Sequence, residues 1–390
     1  MIIPHSSSVK RILFSILFMS VGFPALIIFL SSCSTGMMVN HTDQQIEDVS
    51  RTQYSIVCII HGDGDYLYHD TSSNEHTADQ EALAQVISIS RQNPQAEVLI
   101  FHQQPKRNFL FFFPQKDGEF YYYRNGRLIA NEMYWRNQQH SDFDPEIALY
   151  NRFHTNDQNK MVRVFMYFGH EIPEFGGAGY NLSYPGQEFN INDLAEKLKG
   201  FTHDSSRFDL MILSTCFGGT PYTIETLGSY ARIIVASPDN LHLSYFNLSS
   251  LERLDISLRN RDVLSFAKRF AQQAFDRLTS DVQTAVSVAV YDVDSTQEYL
   301  HSVQDIYNQT LSALKSESPV SKPIIEPCDC AEIPGYVLPI MNKGVDIFYR
   351  PARFGRLKSK YSHSGWECWM DIKKQGTILK LTEPVQKSNQ

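Results

Sequence analysis

Short apolar runs, each halted by glycine, asparagine or a polar cluster, alternate along this chain with longer stretches of helical spacing. Residues 54–60, 96–101, 161–168, 210–213 and 231–236 are apolar at most positions. Runs of that length and content predict strands buried within a sheet. Between them, 76–91, 144–155, 191–201 and a segment opened by Thr220-Pro221 predict helices. Asn93-Pro94 stops the first, while Pro145 and Pro221 occupy first-turn positions where a missing N–H costs nothing. Strand, helix, strand is the pattern of the parallel crossover unit. Farther on, 262–278 predicts an amphipathic helix, 284–290 a strand, and 295–314 a long helix capped by Ser295 and Glu298. Phe109 to Phe113 and Phe120 to Tyr123 predict a hairpin closed through Asp117-Gly118, with Asn125-Gly126 a further turn.

The expected architecture is α/β: a three-layer α/β/α sandwich on a mostly parallel sheet, spanning 52–315. A proline-bearing linker, 316–330, leads to a small β-rich region, 331–390, with strand-like runs at 345–349 and 377–381. That region is either an appendage or an extension of the sheet.

Composition narrows the function classes. The 390 residues are 42% hydrophobic and 20% charged, with a formal charge of −8. There is ample core material, and the acidic balance argues against a nucleic-acid groove. Six cysteines spread over this length do not make a disulfide scaffold. Residues 1–32 read as a targeting segment: Lys10-Arg11, then an apolar stretch ending Leu30-Ser31-Ser32-Cys33. Those last four residues resemble a bacterial lipobox. The resemblance implies cleavage before Cys33, lipid on its sulfur and new amino group, and, with Ser34 following, an outer-membrane anchor in the bacterial cell envelope. An uncleaved transmembrane helix is the alternative. Residues 33–51 read as a polar tether.

The chemistry gathers at two strand ends. The 210–213 run delivers Ser214, Thr215 and Cys216, and Gly218-Gly219 is read as the tight turn beside the sulfur. The 161–168 run ends on Gly169-His170-Glu171. In an open α/β sheet, ligands bind outside the carboxyl ends of strands, and a thiol there becomes a nucleophile when a base adjoins it. Cys58, in mid-strand, reads as buried and inert. The loop after the first strand holds His61, Asp63, Asp65, His69 and Asp70. A metal site there is conceivable, but the spacing is not that of an EF-hand, and a turn beside the cleft is the favoured reading. A zinc-peptidase reading of His170-Glu171 fails because Glu174 stands four residues after His170 and Pro173 forbids the helix. Gly176-Gly177-Ala178-Gly179 reads as a loop that lies close to a bound chain. Cys328, Cys330 and Cys368 suggest a disulfide or, with His363, a metal site. No metal or cofactor is expected at the Cys216–His170 site. The aromatic hairpin suggests either cross-strand packing or ring stacking on carbohydrate or peptide.

At these residues the chain resembles the clostripain family and, more distantly, other caspase-like cysteine peptidases: apolar strand, His, helix, apolar strand, short polar step, Cys. The resemblance covers roughly 54–314. It implies peptide-bond hydrolysis through an acyl-enzyme, with Cys216 as nucleophile and His170 as general acid and base. Backbone N–H groups of Cys216 and Glu171 are the implied oxyanion donors. Asp63, Asp65, Ser214, Ser237 and Asp239 are the implied substrate-binding residues, and a peptide or protein is the substrate. Two positions depart from the family: Glu171 stands where a glycine is usual, and Ser214 where an aspartate often receives a basic P1 side chain. The alternative is a caspase-like lipoprotein that binds peptide or a protein partner without cutting it.

Overall fold

The apolar runs form the strands β1 (Tyr54–His61), β4 (Ala96–Gln103), β9 (Val162–Phe168), β10 (Phe208–Ser214) and β11 (Ala231–Ala236). The computed structural model describes residues 52–69, 73–110, 112–137, 142–154, 161–174, 181–202, 207–241, 248, 262–296, 301 and 344–355. The lipobox, the tether, the 176–179 glycine loop, Cys328, Cys330, Cys368, the 377–381 strand and most of the 295–314 helix lie outside them. All described residues belong to the compact unit Val49–Gln390. The remaining elements are β2 (Leu67–His69), β3 (Glu75–Thr77), β5 (Asn108–Phe109), β6 (Phe113–Pro114), β7 (Gly118–Arg124), β8 (Arg127–Tyr134), β12 (Val286–Asp292), β13 (Val345–Arg350), α1 (Ala78–Gln92), α2 (Asp144–Phe153), α3 (Ile191–Leu198), α4 (Pro221–Leu227) and α5 (Val263–Asp281).

Nine strands form one sheet in the order β13-β12-β11-β10-β9-β1-β4-β7-β8. The five central strands, β11 to β4, run parallel, as the α/β pattern requires. Antiparallel pairs close both edges. Val345–Arg350 pairs with β12, so this part of the tail extends the sheet.

Strand side chains alternate between two buried faces. Ile56, Cys58, Ile60, Val98 and Val164 meet α1 and α5 through Val86, Ile89, Phe266 and Phe270. Val57, Ile59, Leu99, Phe101 and Phe165 meet α2, α3 and α4 through Tyr150, Leu194, Leu198 and Ile224. This is the three-layer arrangement. Cys58 lies inside the first core, where burial pushes its thiol far above the usual range.

Local chemistry sets the helix starts. Asn190 and Asp193 form a reciprocal capping box on α3. Thr220 caps α4 ahead of Pro221, and Asp262 caps α5. Past β12, Asp292 rather than Ser295 is the capping residue: its carboxylate accepts from the Ser295 N–H and hydroxyl. The aromatic hairpin also differs from expectation. The turn is Asn125-Gly126, both at positive φ (53° and 70°), joining β7 to β8. Asp117-Gly118 makes no hairpin turn because Asp117 is buried, accepting from the Arg136 N–H and the Tyr184 hydroxyl. Phe120, Tyr122 and Tyr123 are core residues, whereas Phe109 and Phe113 are exposed on the separate β5-β6 ribbon.

Candidate active site

The order of the central strands creates one special place. From β1 the chain builds outward to β4, then returns to lay β9 against the other side of β1 and continues to β10 and β11. The loops after β1 and β9 therefore part in opposite directions, opening a crevice at the carboxyl edge of the sheet, where ligands bind in doubly wound folds. Into this edge β9 delivers His170 and β10 delivers Cys216. The β9–β10 register runs to Ser214 opposite Phe168. Each residue thus stands two positions beyond the last matched pair, on adjacent parallel strands.

His170 is held by the loop that follows β1. Its ring stacks on Tyr66, with centroids 4.6 Å apart. Its backbone N–H donates to the Tyr66 hydroxyl at 3.1 Å. The Asp65 backbone carbonyl accepts from the imidazole ring. A ring whose one nitrogen donates there has its other nitrogen as the basic one. Partial burial lowers the His170 pKa, opposed by Asp65, which favours the neutral imidazole that a general base requires. Gly64 makes the stacking possible, since a Cβ there would lie 2.7 Å from the Tyr66 ring and 2.8 Å from His170.

Tyr66 is fixed in turn by a chain of buried hydrogen bonds whose direction is determined. Arg136 Nη2 donates to Asn181 Oδ1 at 2.8 Å. The same oxygen lies 2.9 Å from His61 Nε2, which must therefore carry the proton. Burial, with Arg136 nearby, depresses the His61 pKa to about 3, so its Nδ1 is unprotonated. That nitrogen accepts from the Tyr66 hydroxyl at 2.6 Å. The Tyr66 oxygen is left to receive the His170 N–H. A guanidinium is thereby linked to the position of the imidazole through three side chains.

Cys216 is half-buried, and its thiol donates to Asn240 Oδ1 at 3.1 Å. The next residue, Phe217, takes positive φ (52°), a costly conformation for a bulky side chain. The strained residue of this turn is therefore Phe217 and not either glycine. Gly218 and Gly219 are needed for close packing: a Cβ would lie 2.6 Å from Thr215 Oγ1 in one case and 2.6 Å from the Tyr291 hydroxyl in the other. The loop after β11 braces the turn. Asp239 accepts the Phe217 N–H through its carbonyl (3.1 Å), and Ser237 accepts the Gly219 N–H (2.8 Å).

The structure places the expected substrate-contact residues as follows. Asp63 is fully buried, paired with Arg136 at 2.9 Å and receiving both the N–H and hydroxyl of Ser183. Ser237 is fully buried, its hydroxyl engaged with the Asp239 backbone. Ser214 is 3% exposed at the end of β10. All three are buried in this structure. Asp239 is half-buried and spends its carboxylate on the Asn240 N–H. Asp65 is exposed beside His170. Glu171, with Phe143, Ile172 and Phe189, lines a small pocket whose walls include His170 but not Cys216. Among the described residues no group of three or more His, Cys, Asp or Glu converges to hold a metal.

A further pair ties the two loops together. Glu174, following His170, is fully buried and accepts from the Thr220 hydroxyl, following Cys216. Its Oε2 has no hydrogen-bond partner. Burial pushes this carboxyl up to about 8, opposed by Thr220 and assisted by Glu171. The folded-state pKa lies above the usual 4.5. The associated stability is therefore complete at low pH and drains as pH rises from about 4.5 through about 8. Glu174→Gln is expected to flatten this limb and to be more stable than wild type at pH 9, read by urea unfolding at pH 6 and 9. Parallel losses in the two proteins would show that another group titrates.

Tyr66, Arg136, Asn181, Asn240 and the Glu174–Thr220 pair were not visible as site residues in the sequence. Only the loops following β1 and β11 and the positions flanking the two candidate residues hinted at them.

No family model matches the chain, and no curated protein does. Among solved structures, the chain is similar to a secreted C11 cysteine protease from Bacteroides thetaiotaomicron, at 11% identity over 66% of this chain and 71% of that one, with a TM-score of 0.45. A structure of a secreted C11 cysteine protease from that organism in complex with an irreversible peptide inhibitor has 12% identity, covers 66% and 70%, and gives a TM-score of 0.44. An inactive zymogen C11 protease from Parabacteroides distasonis has 12% identity, covers 70% and 71%, and gives 0.43. Likenesses this distant transfer no residue role to the present chain.

Proposed function

We propose that this chain is a membrane-anchored cysteine endopeptidase of the clostripain-like kind its sequence resembles. Cys216 attacks the scissile carbonyl, and His170 takes the thiol proton, later giving it to the leaving amine and then activating water. The backbone N–H groups of Cys216 and Glu171 are the proposed oxyanion donors. The observation that carries the reading is the matched placement of Cys216 and His170 at the ends of adjacent parallel strands, with His170 beside the topological switch point between β1 and β9. The orientation of the imidazole by Asp65 and Tyr66 supports it, as the third member that such a pair needs. The thiol's contact with Asn240 is compatible with ionisation, because the same amide turned over would offer an N–H to a thiolate. With Asp63 neutralised by Arg136 and Ser214 at the family's acidic position, an uncharged P1 side chain is the proposed preference. Anchoring rests on Cys33 in Leu30-Ser31-Ser32-Cys33, which places the enzyme in the cell envelope, at the outer membrane by the Ser34 criterion.

The test is covalent capture. A peptidyl electrophile with an uncharged P1 group is expected to modify Cys216, identified by peptide mass mapping, and to leave Cys216→Ala unmodified. Modification that persists in Cys216→Ala, or a sulfur no more reactive than a free thiol, would instead favour the non-catalytic peptide-binding alternative.

A further inference from the structure

Between β4 and β7 the chain leaves the main sheet and forms the two-stranded β5-β6 ribbon, a sheet of its own. Its side chains are apolar and face solvent: Phe109, Leu110, Phe112 and Phe113 are 56%, 62%, 83% and 63% exposed. Four large apolar groups in one short turn are a contiguous patch of the kind that marks an interaction surface. Leu110 holds positive φ (47°), a conformation that glycine or asparagine would take more cheaply, yet the position carries an apolar side chain. The patch is a projecting tip and not a groove, so it suits insertion into a soft medium better than reception of a partner segment.

The surroundings identify that medium. The stretch 104–116 contains Lys106, Arg107 and Lys116 and no acidic residue, in a chain of formal charge −8. All three basic residues are exposed at the base of the tip. Lys116 Nζ donates to the Met133 carbonyl on β8. The β7–β8 register sets Gly118 opposite Tyr134, so Trp135 stands at the same edge, 42% exposed. An apolar tip, a basic collar and a half-exposed tryptophan beside it form the combination that seats a protein in the headgroup region of an anionic bilayer. We propose that the β5-β6 ribbon inserts into the interface of an anionic lipid membrane.

The geometry links the tip to the candidate site. The ribbon leaves the carboxyl end of β4, the edge that bears His170 and Cys216. The Lys106 N–H donates to Ser183 Oγ at 2.7 Å, and that hydroxyl donates to Asp63 at 2.8 Å. Insertion turns the rim of the crevice toward the lipid surface. The length of chain before β1 permits it. Residues 34–51 span up to about 60 Å when extended, against roughly 26 Å for a strand the length of β1. An anchor on Cys33 and a tip at the far edge of the sheet therefore reach one bilayer together. The lipid-binding claim does not depend on the peptidase reading or on lipidation, and its test uses neither.

Purified Val49–Gln390, without the leader, is floated with vesicles of phosphatidylglycerol and, separately, of phosphatidylcholine. Wild type is expected to float with phosphatidylglycerol vesicles and to be released by salt. Phe109→Ser, Phe112→Ser and Phe113→Ser combined should lower the bound fraction by roughly tenfold or more, one step of 1.4 kcal/mol, with an unchanged melting temperature. Lys106→Gln, Arg107→Gln and Lys116→Gln combined should erase the preference for the anionic lipid. Wild type that stays with neither vesicle, or a serine variant that floats as well as wild type, overturns the proposal. Self-association lost in the serine variant without any lipid binding also overturns it, and assigns the tip to a second copy of the chain.

Discussion

Peptide hydrolysis by His170→Ala is expected to fall about 10²–10⁴-fold, the contribution of a positioned general acid–base group. The reason lies in where the imidazole is and how it is held. It stands at the carboxyl end of β9, level with Cys216 at the end of β10. Asp65 accepts from the ring, and Tyr66 supports its face. Truncation removes the proposed base, and the Asn240 carbonyl oxygen that the thiol contacts does not take a proton at neutral pH. The residual reaction then depends on spontaneous thiolate. A free thiol titrates near about 8.5, so the residual rate should climb with pH up to that point. Wild type should already be active at neutral pH, because burial lowers the His170 pKa and keeps the base neutral there. The measurement is a pH profile of kcat/KM for both proteins on one peptide. If His170→Ala matches wild type at pH 7, or if the two profiles have the same shape, His170 is not the base. Loss through misfolding is separated by the melting temperature, since His170 is only half-buried.

The strands and helices that build the sheet were legible because each apolar run carries the period of its element. The stops Asn93-Pro94, Thr220-Pro221 and Asp262 sit where the helices end or begin. The arrival of Cys216 and His170 at one edge of the sheet was legible for a topological reason: a strand, a helix and a strand must place their carboxyl ends on one edge. What was not legible is what surrounds them. Asp63 looked like a surface carboxylate in a turn, but its role depends on Arg136, 73 positions away in sequence. Ser237 looked like a cleft residue, yet it closes a turn with Asp239. The glycines after Cys216 suggested a tight turn beside the sulfur. The structure puts the positive φ of that turn on Phe217 and uses the glycines where Tyr291 and Thr215 press against the backbone. Local signals predict turns and periods, whereas buried polar networks join residues that no window contains. The Phe109–Tyr123 aromatics show the same limit. Composition could not separate Phe120 and Tyr122, which fill the core, from Phe112 and Phe113, which project into solvent.

Arg136→Ala is expected to destabilise the folded protein by about 3–5 kcal/mol, the usual cost of removing one partner of a buried ion pair. Asp63 is 0% exposed and Arg136 7%. Without the guanidinium, Asp63 would hold only the two donors of Ser183. The arginine also donates to Asn181 and to the Gln104 carbonyl, and lies over the Tyr184 ring. Its removal therefore deprives the Asn181–His61–Tyr66 chain of the donor that sets its direction. At roughly 2–4 °C per kcal/mol for a domain of this size, the melting temperature should drop on the order of 10 °C. Asp63→Asn in the same protein should recover part of the loss, because the amide keeps an oxygen for Ser183 and carries no charge. A double-mutant cycle on Asp63 and Arg136, measured by urea unfolding, gives the coupling directly. If Arg136→Ala melts with wild type, the pair is not buried as described. If the cycle shows no coupling, the charge is compensated elsewhere. In the stability-matched double variant the imidazole lacks its fixed support, so Cys216 labelling should remain slow while folding is restored. Recovery of both together would mean that the network serves stability alone and leaves the position of His170 untouched.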